Sequence, residues 1–306
     1  MLILPILLYF LWSSSFPLGK VLLGLGPPVF LTAARMILAG VILLSYIVFK
    51  KRSLRISFRQ LLSLILLAIF SIYLTNICEF WGLQDLSAAK ACFIYSLSPF
   101  FAALLSYIHF KEKMSPRKWL GFGVGFLGFI PVLMSQSGSD QLFSSSWFTL
   151  SELAIVGAAL FSVYGCILLR LCVKDQNVSP TMANGSSMLL GGLFALIHST
   201  FVDSWAPLPV ATHHLTTLFG ILLALTFISN IVCSNLYAYL IKRFTATFLS
   251  FVGLLSPIFA SLSSWALLGE RPSIYIFAGT TIMLVGMYIV YHAELKQGYI
   301  LKKAPA

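Results

Sequence analysis

The sequence predicts an all-α polytopic membrane protein, in which ten transmembrane helices form two inverted five-helix repeats around a central cavity. Three observations lead to this fold class. Of the 306 residues, 59% are hydrophobic and 9% are charged, a composition too apolar for a soluble domain. Apolar runs of about 20 residues, long enough to cross ~30 Å of hydrocarbon, recur along the chain. Finally, one stretch of the sequence occurs twice.

The repeated stretch covers residues 98–128 and 256–286, which align without a gap at an offset of 158 residues. Both copies begin with Ser-Pro and continue through a glutamate into glycine-spaced apolar sequence. A repeat at this distance predicts a chain built from two similar halves. The matching positions are Ser98/Ser256, Pro99/Pro257, Phe101/Phe259, Ala102/Ala260, Glu112/Glu270, Gly121/Gly279 and Gly128/Gly286.

The apolar runs delimit the domains and the spans. Spans 1–5 form a first repeat, residues 1–135, and a Ser/Gly-rich linker covers 136–149. Spans 6–10 form a second repeat, 150–292, and a tail covers 293–306. The first run lacks a basic region and a cleavage site, so we expect a retained span rather than a signal peptide. The ten spans are residues 2–23, 28–49, 60–82, 86–109, 117–135, 150–171, 181–201, 215–239, 245–268 and 273–292.

The positive charges predict the orientation. Lysines and arginines concentrate in the loops after spans 2, 4, 6 and 8 and in the tail, so the positive-inside rule puts both termini in the cytoplasm. An odd number of spans per half then inverts the second half relative to the first, as in many secondary transporters. Because the net charge of +11 is distributed in this way, it indicates topology rather than nucleic-acid binding.

Three motifs carry a family resemblance. Span 1 contains W-S-S-S-F-P-L-G-K at residues 12–20, and span 2 contains P-x-F-L-T-A-A-R at residues 28–35. Spans 4 and 9 contain the repeated Ser-Pro with its following glutamate. Together these motifs resemble the drug/metabolite transporter superfamily, EamA type, over nearly the whole chain. The resemblance implies ten helices around a central cavity and transport without ATP.

The resemblance also suggests a substrate. In length and texture the chain is similar to the S-adenosylmethionine/S-adenosylhomocysteine transporters of obligate intracellular bacteria. This similarity implies uptake of S-adenosylmethionine across the bacterial inner membrane in exchange for S-adenosylhomocysteine. An exporter of amino acids or related metabolites is the alternative. Drug efflux driven by protons is disfavoured, because span 1 has Trp12 and three serines where the small multidrug-resistance branch carries a glutamate.

An intramembrane enzyme is a remote alternative. The sequence has no H-E-x-x-H, no G-x-S-x-G and no pair of acids inside one span. Its five cysteines and five histidines show no metal-ligand spacing, so we expect no metal site. Residues 123–128 match G-x-G-x-x-G, but they lie in an apolar span, where close helix packing is the better interpretation. We expect no cofactor.

Three charged residues inside spans are the first candidates for a binding site, because charge in a bilayer is costly and usually functional. Glu79 would face an ammonium or sulfonium group, whereas Arg35 or Lys90 would bind a carboxylate. The sequence therefore predicts a site for a zwitterion. The alternative is structural: Glu79 and Lys90 could pair with each other, and Arg35 could satisfy a helix end.

A polar stripe in span 8 is the second candidate. At α-helical spacing its residues share one face, which would turn towards a cavity or towards hydrogen bonds with other helices. With Trp12, Asn76 and Tyr95 from spans 1, 3 and 4, this face would suit an adenine ring or another aromatic metabolite. The stripe comprises Thr226, Ser229, Asn230, Cys233, Ser234 and Tyr237.

The paired prolines are the third candidate. Pro99 and Pro257 each remove a backbone donor, so we expect kinks in spans 4 and 9. These kinks could be hinges for alternating access or static bends filled by packing. The glutamates that follow them, Glu112 and Glu270, have basic neighbours and are interpreted as interfacial anchors.

Overall fold

The computed structural model describes residues 3–51, 56–110, 115–128, 130–131, 149–205, 209–210, 215–240, 249 and 252–297. Throughout these ranges the regular structure is helical. Seven continuous helical stretches among the described residues are long and apolar enough to cross a membrane, and some of them join two of the helices numbered below. The described parts of spans 4, 5 and 9 are shorter. The all-α polytopic class predicted from the sequence is thereby confirmed. Residues 136–148 of the predicted linker lie outside the described ranges.

We number the α-helices in chain order. Three π-helical segments join or follow some of them, in spans 3, 6 and 8. The helices are α1 (Ile3–Ser13), α2 (Ser15–Leu23), α3 (Pro28–Phe49), α4 (Phe58–Leu67), α5 (Thr75–Asp85), α6 (Ala88–Tyr95), α7 (Ser98–Phe110), α8 (Pro116–Leu127), α9 (Leu150–Arg170), α10 (Pro180–Val202), α11 (Leu215–Leu225), α12 (Ser234–Leu240), α13 (Ser256–Leu268) and α14 (Ile274–Gln297). The π-helical segments are Ala68–Leu74, Leu171–Asp175 and Thr226–Cys233.

Span 1 is broken near its middle by its serines. Ser13, Ser14 and Ser15 each donate a hydroxyl hydrogen bond to the carbonyl three residues earlier, at 2.9, 2.6 and 2.6 Å. Such back-bonding competes with the helical ladder and bends helices. Pro17 has no amide hydrogen to restore the ladder. The polar motif of span 1 therefore divides it into α1 and α2.

Spans 3 and 8 share another irregularity. Each contains a π-helical segment, Ala68–Leu74 and Thr226–Cys233, followed by a hydroxyl residue and an asparagine. The hydroxyl donates to the carbonyl five residues earlier, and the asparagine donates to the carbonyl four residues earlier. The four bonds are Thr75 to Phe70 (2.8 Å), Asn76 to Ile72 (2.7 Å), Ser234 to Ser229 (3.2 Å) and Asn235 to Ile231 (2.6 Å). Side chains thus satisfy carbonyls that the changed helical register would leave free in lipid.

The helices of spans 4 and 9 are interrupted beside the repeated prolines. In span 4, α6 ends at Tyr95 and α7 begins at Ser98, with Pro99 in its first turn. In span 9, α13 begins at Ser256, again with proline in its first turn. A proline in the first turn sacrifices no intrahelical bond, which explains why each helix restarts there.

Several helix pairs approach closely through glycines, and two of them matter here. Between spans 2 and 7, a Cβ on Gly40 would lie 2.6 Å from the amide nitrogen of Leu189. Between spans 5 and 10, a Cβ on Gly121 would lie 2.7 Å from the carbonyl oxygen of Gly286. Small residues let helices in lipid pack backbone against backbone. We call the second contact, formed by Gly121, Gly125, Gly128, Gly279 and Gly286, the glycine seam.

The helix contacts also form a pattern. Span 3 packs against span 6 as span 8 packs against span 1, while spans 2 and 7, 4 and 9, and 5 and 10 pack against each other. Exchanging the two halves of the chain converts each of these contacts into another of the same set. Span 1 contacts spans 3, 4 and 8, and span 6 contacts spans 3 and 4.

We predict that Gly286→Ala destabilises the protein by about 1–3 kcal/mol, because the added methyl group would meet the backbone of Gly125. Gly123→Ala is the matched control: the position lies on a helix of the same pair, with no atom within 4 Å of the added carbon. The measurement is the thermal unfolding midpoint of each purified variant in detergent. Equal midpoints for the two variants would contradict a tight seam.

Candidate functional site

Three aromatic rings from two spans meet near the centre of the bundle. The ring of Tyr9 lies 6.3 Å from that of Trp12, and the two planes are nearly parallel at 23°. Trp12 in turn meets the edge of Tyr237 in span 8, with 5.7 Å between centroids. The break in span 1 at Ser13 follows directly after Trp12. These rings expose π-faces that can stack on a flat ring or receive a cation.

Cys166 of span 6 connects these rings to span 4. It lies close enough to Tyr9, Tyr95 and Tyr237 to interact electrostatically with all three. Its side chain is solvent-accessible. Cys166 therefore adds an accessible polar surface beside these rings.

Glu79 contributes a negative charge to the same region. It is only partly buried and interacts electrostatically with Arg35 and Tyr95. Tyr95 is within hydrogen-bonding reach of Ser162 and meets Phe16 edge-on, with ring centroids 5.7 Å apart. Five spans therefore contribute to one site. We call it the central cluster; its residues are Tyr9, Trp12, Glu79, Tyr95, Cys166 and Tyr237.

Arg35 and Asn76 lie behind the central cluster rather than on its accessible surface. Arg35 is 4% exposed, donates a hydrogen bond to the side-chain oxygen of Asn76 and lies 4.7 Å from the ring centre of Phe80. The Asn76 amide spends its own donor on the carbonyl of Ile72. This network joins spans 2 and 3 and balances part of the charge of Glu79.

Lys90 is held elsewhere. Its ammonium group pairs with Glu152 at the start of span 6, with 2.5 Å between Nζ and Oε1, and both side chains are buried. The alternative prediction that Lys90 pairs with Glu79 is therefore wrong, because Glu152 is the partner of Lys90. The other oxygen of Glu152 accepts the amide hydrogen of Thr149 at 2.7 Å and completes a capping box. One carboxylate thus caps span 6 and ties it to span 4.

Lys20 makes a second link at the same end of the bundle, which we call the outer end after the predicted orientation. Its ammonium group lies 3.6 Å from Glu270 after span 9 and donates to the carbonyl of Leu86, between the helices Thr75–Asp85 and Ala88–Tyr95. Both side chains are about a quarter exposed. Glu270 is therefore paired with Lys20, which the interpretation as an interfacial anchor did not include. The contact of Phe16 with Tyr95 lies between this link and Trp12.

The span 8 stripe lies mostly within a π-helical segment, and its six residues are buried or partly buried. It was placed by α-helical spacing, and the π-helical segment Thr226–Cys233 changes that spacing. Asn230 donates to the sulfur of Met36 at 3.6 Å, and Cys233 donates to the carbonyl of Leu8 at 3.9 Å. Both side chains are buried between helices. Of the stripe, Tyr237 reaches the central cluster, while Asn230 and Ser234 make contacts within and between helices.

Three residues of this region were missed by the sequence analysis. Ser162 and Cys166 are small polar side chains four residues apart in span 6, a spacing that places them on one helical face. Glu152 belongs to the T-x-x-E pattern that marks a helix start. These signals were present in the sequence and are weak individually. Within the described ranges no group of three or more His, Cys, Asp or Glu residues could hold a metal ion.

The helical bundle and its charged, aromatic centre define a membrane transporter, and comparisons with known proteins agree. The EamA-like transporter family model matches residues 1–134 and 149–292, so the chain belongs to this family. A solved structure that is 17% identical in sequence superposes on this chain with a TM-score of 0.68. The match covers 96% of this chain and 97% of the solved chain, and it shows the same fold.

The names of two relatives specify a substrate. An S-adenosylmethionine/S-adenosylhomocysteine transporter of Chlamydia muridarum is 39% identical over 297 residues, covering 95% of this chain and 92% of the relative. The protein of the same name from Chlamydia trachomatis serovar D is 40% identical over 295 residues, covering 95% and 89%. These relatives are transporters rather than enzymes.

We predict that Glu152→Gln destabilises the protein by about 3–5 kcal/mol, because it leaves the ammonium group of Lys90 buried without its counter-charge. Glutamine still suits the capping position, so the cap itself should persist. Adding Lys90→Met should recover most of the loss, because neither charge then remains. Unfolding midpoints of the two single variants and the double variant provide the cycle. Additive losses in the double variant would rule out the pair.

Proposed function

We propose that this protein takes up S-adenosylmethionine across the bacterial inner membrane in exchange for S-adenosylhomocysteine, by alternating access. The observation that carries the proposal is the central cluster, a partly exposed site that combines one carboxylate with several aromatic rings. The two Chlamydia relatives named for these substrates support the choice. Both compounds combine an adenine ring with an amino acid, and they differ at sulfur: a positive sulfonium in one and a neutral thioether in the other.

The central cluster, with Arg35 behind it, offers a partner for each part of the substrate. Trp12, Tyr9 and Tyr237 present faces and edges on which a purine can stack, or over which a sulfonium can rest by a cation–π contact. Glu79 attracts the sulfonium or the ammonium group. Arg35 is the candidate for the substrate carboxylate, since a charged acceptor could replace the neutral oxygen of Asn76.

Alternating access is proposed to follow from inverted repeats. The exchangeable helix contacts of the two halves support this relation, as do the matched hydrogen bonds after the π-helical segments of spans 3 and 8. The breaks beside Pro99 and Pro257 are the proposed hinges, because a helix that is already interrupted can bend without losing bonds. Lys20 and Glu270 would separate when the outer end opens.

The proposed topology has ten spans, with both termini in the cytoplasm. It follows from the distribution of lysine and arginine along the chain. In this orientation the Lys20–Glu270 and Lys90–Glu152 pairs face the periplasmic side. The central cluster then lies on the cytoplasmic side of both pairs.

We predict counterflow in proteoliposomes without an ion gradient. Vesicles loaded with unlabelled S-adenosylhomocysteine should accumulate labelled S-adenosylmethionine, and Glu79→Gln should reduce uptake of this cation more than uptake of S-adenosylhomocysteine. The physical reason is that the lost carboxylate attracts the sulfonium. Equal losses for both compounds would refute this role of Glu79. Absence of accumulation by folded wild-type protein would refute the adenosyl substrate and favour amino acids as the next class to test.

We predict that Trp12→Leu weakens binding of S-adenosylmethionine about tenfold, because both the stacking surface and the cation–π contact are lost. Trp265→Leu is the matched control, since Trp265 is 59% exposed on the outside of span 9. Apparent affinities from competition with labelled substrate provide the measurement. A similar change in the two variants would remove Trp12 from the site.

A further inference from the structure

A small cleft lies between the beginning of α8 and the end of α14, away from the central cluster. Its volume is about 200 Å³. The walls combine three basic side chains with an aromatic ring and two aliphatic side chains. The lining residues are Arg117, Tyr288, Ile289, His292, Ala293 and Lys296.

The glycine seam explains why the cleft opens at this point. At Gly121 the two helices touch, and an added Cβ would lie 2.7 Å both from the carbonyl oxygen of Gly286 and from the side chain of Val290. One turn before Gly121, α8 carries Arg117 instead of a glycine. The side chains beyond the seam therefore separate the two helix ends and leave the cleft between them.

The cleft is rich in hydrogen-bond donors. Arg117 and Lys296 are exposed, and among the described residues neither has an acidic partner. Tyr288 and His292 are hydrogen-bonded to each other at 2.9 Å, with ring centroids 4.7 Å apart. None of the six lining residues is acidic. Together these groups form a site for a phosphate-like anion, which arginine and lysine both bind well.

The position of the cleft identifies the source of that anion. The stretch of span 10 that is long and apolar enough to cross a membrane is Ile274–Ala293, and Lys296 lies three residues beyond its end. Tyr288 and Val285, on the hydrocarbon side, are about half exposed and provide an apolar surface below the charges. Basic clefts between helices at this depth suit the headgroups of anionic lipids, whose chains extend along the apolar surface.

We propose that this cleft binds the headgroup phosphate of an anionic phospholipid. Arg117 and Lys296 hold the phosphate from opposite helices, and the acyl chain runs along Tyr288 and Ile289. Because the two residues belong to the two helices of the glycine seam, a bound lipid would link spans 5 and 10 at the membrane surface. The site is independent of the transported substrate.

The experiment measures lipid retention by the purified full chain. The protein in detergent is incubated with phosphatidylglycerol or with phosphatidylcholine of the same acyl chains, and bound lipid is counted by native mass spectrometry. Wild-type protein should retain phosphatidylglycerol preferentially. The double variant Arg117→Gln/Lys296→Gln should bind it about tenfold more weakly, since each cation near a lipid surface contributes to the attraction.

Arg59→Gln is the matched control. Arg59, like Arg117, is an exposed arginine at the second position of a helix that begins after a serine cap. The Arg59→Gln variant should retain phosphatidylglycerol as the wild-type protein does. Equal retention by the wild type and the double variant would overturn the proposal, and so would equal loss in the control.

Inorganic phosphate separates a lipid from a free anion. Inorganic phosphate at millimolar concentration should leave the lipid bound, because phosphate has no acyl chain to contact Tyr288. Complete displacement would replace the lipid assignment with a site for a soluble anion. If the double variant does not fold, Lys296→Gln alone provides the test, since Lys296 is exposed in the last turn of α14 and its replacement buries nothing.

Discussion

The lack of hydrogen-bond partners in hydrocarbon is the constraint on which this bundle depends. A polar group placed between the spans is costly without a partner within the protein. The serines of span 1 bond to their own helix, Arg35 bonds to Asn76, and Lys90 pairs with Glu152. These contacts join spans 2 to 3 and 4 to 6. The contacts that satisfy Arg35 and Lys90 therefore also fix the positions of these helices relative to each other.

The irregular parts of the helices lie close to the candidate site. The break after Trp12 and the interruption after Tyr95 each adjoin a residue of the central cluster. The π-helical segments of spans 3 and 8 end shortly before Glu79 and Tyr237. An interrupted helix exposes backbone groups and changes the direction of its side chains, which allows several spans to converge on one site. Regular helices would keep these residues on separate faces.

Much of the fold could be predicted from the sequence because lipid imposes simple rules. Length and hydropathy identify the spans, and the described helices begin and end close to the predicted limits, as in span 2 at Pro28–Phe49. The candidate site was harder to predict. The partner of Lys90 comes from span 6, 62 residues later in the chain, and no local pattern connects the two residues. The span 8 stripe was placed by α-helical spacing, and nothing in that spacing predicted the π-helical segment Thr226–Cys233.

The charge pairing has an energetic consequence for transport. Lys90 and Glu152 form an ion pair, and Arg35 and Glu79 carry one further charge of each sign. The formal charges of these four side chains therefore sum to zero. Under the proposed exchange, a cation enters and a neutral molecule leaves, so each cycle carries one positive charge inward. A membrane potential that is negative inside would then contribute about 2.3 kcal/mol per 100 mV to accumulation. Uptake could proceed against a concentration gradient with no coupling ion, powered by voltage alone.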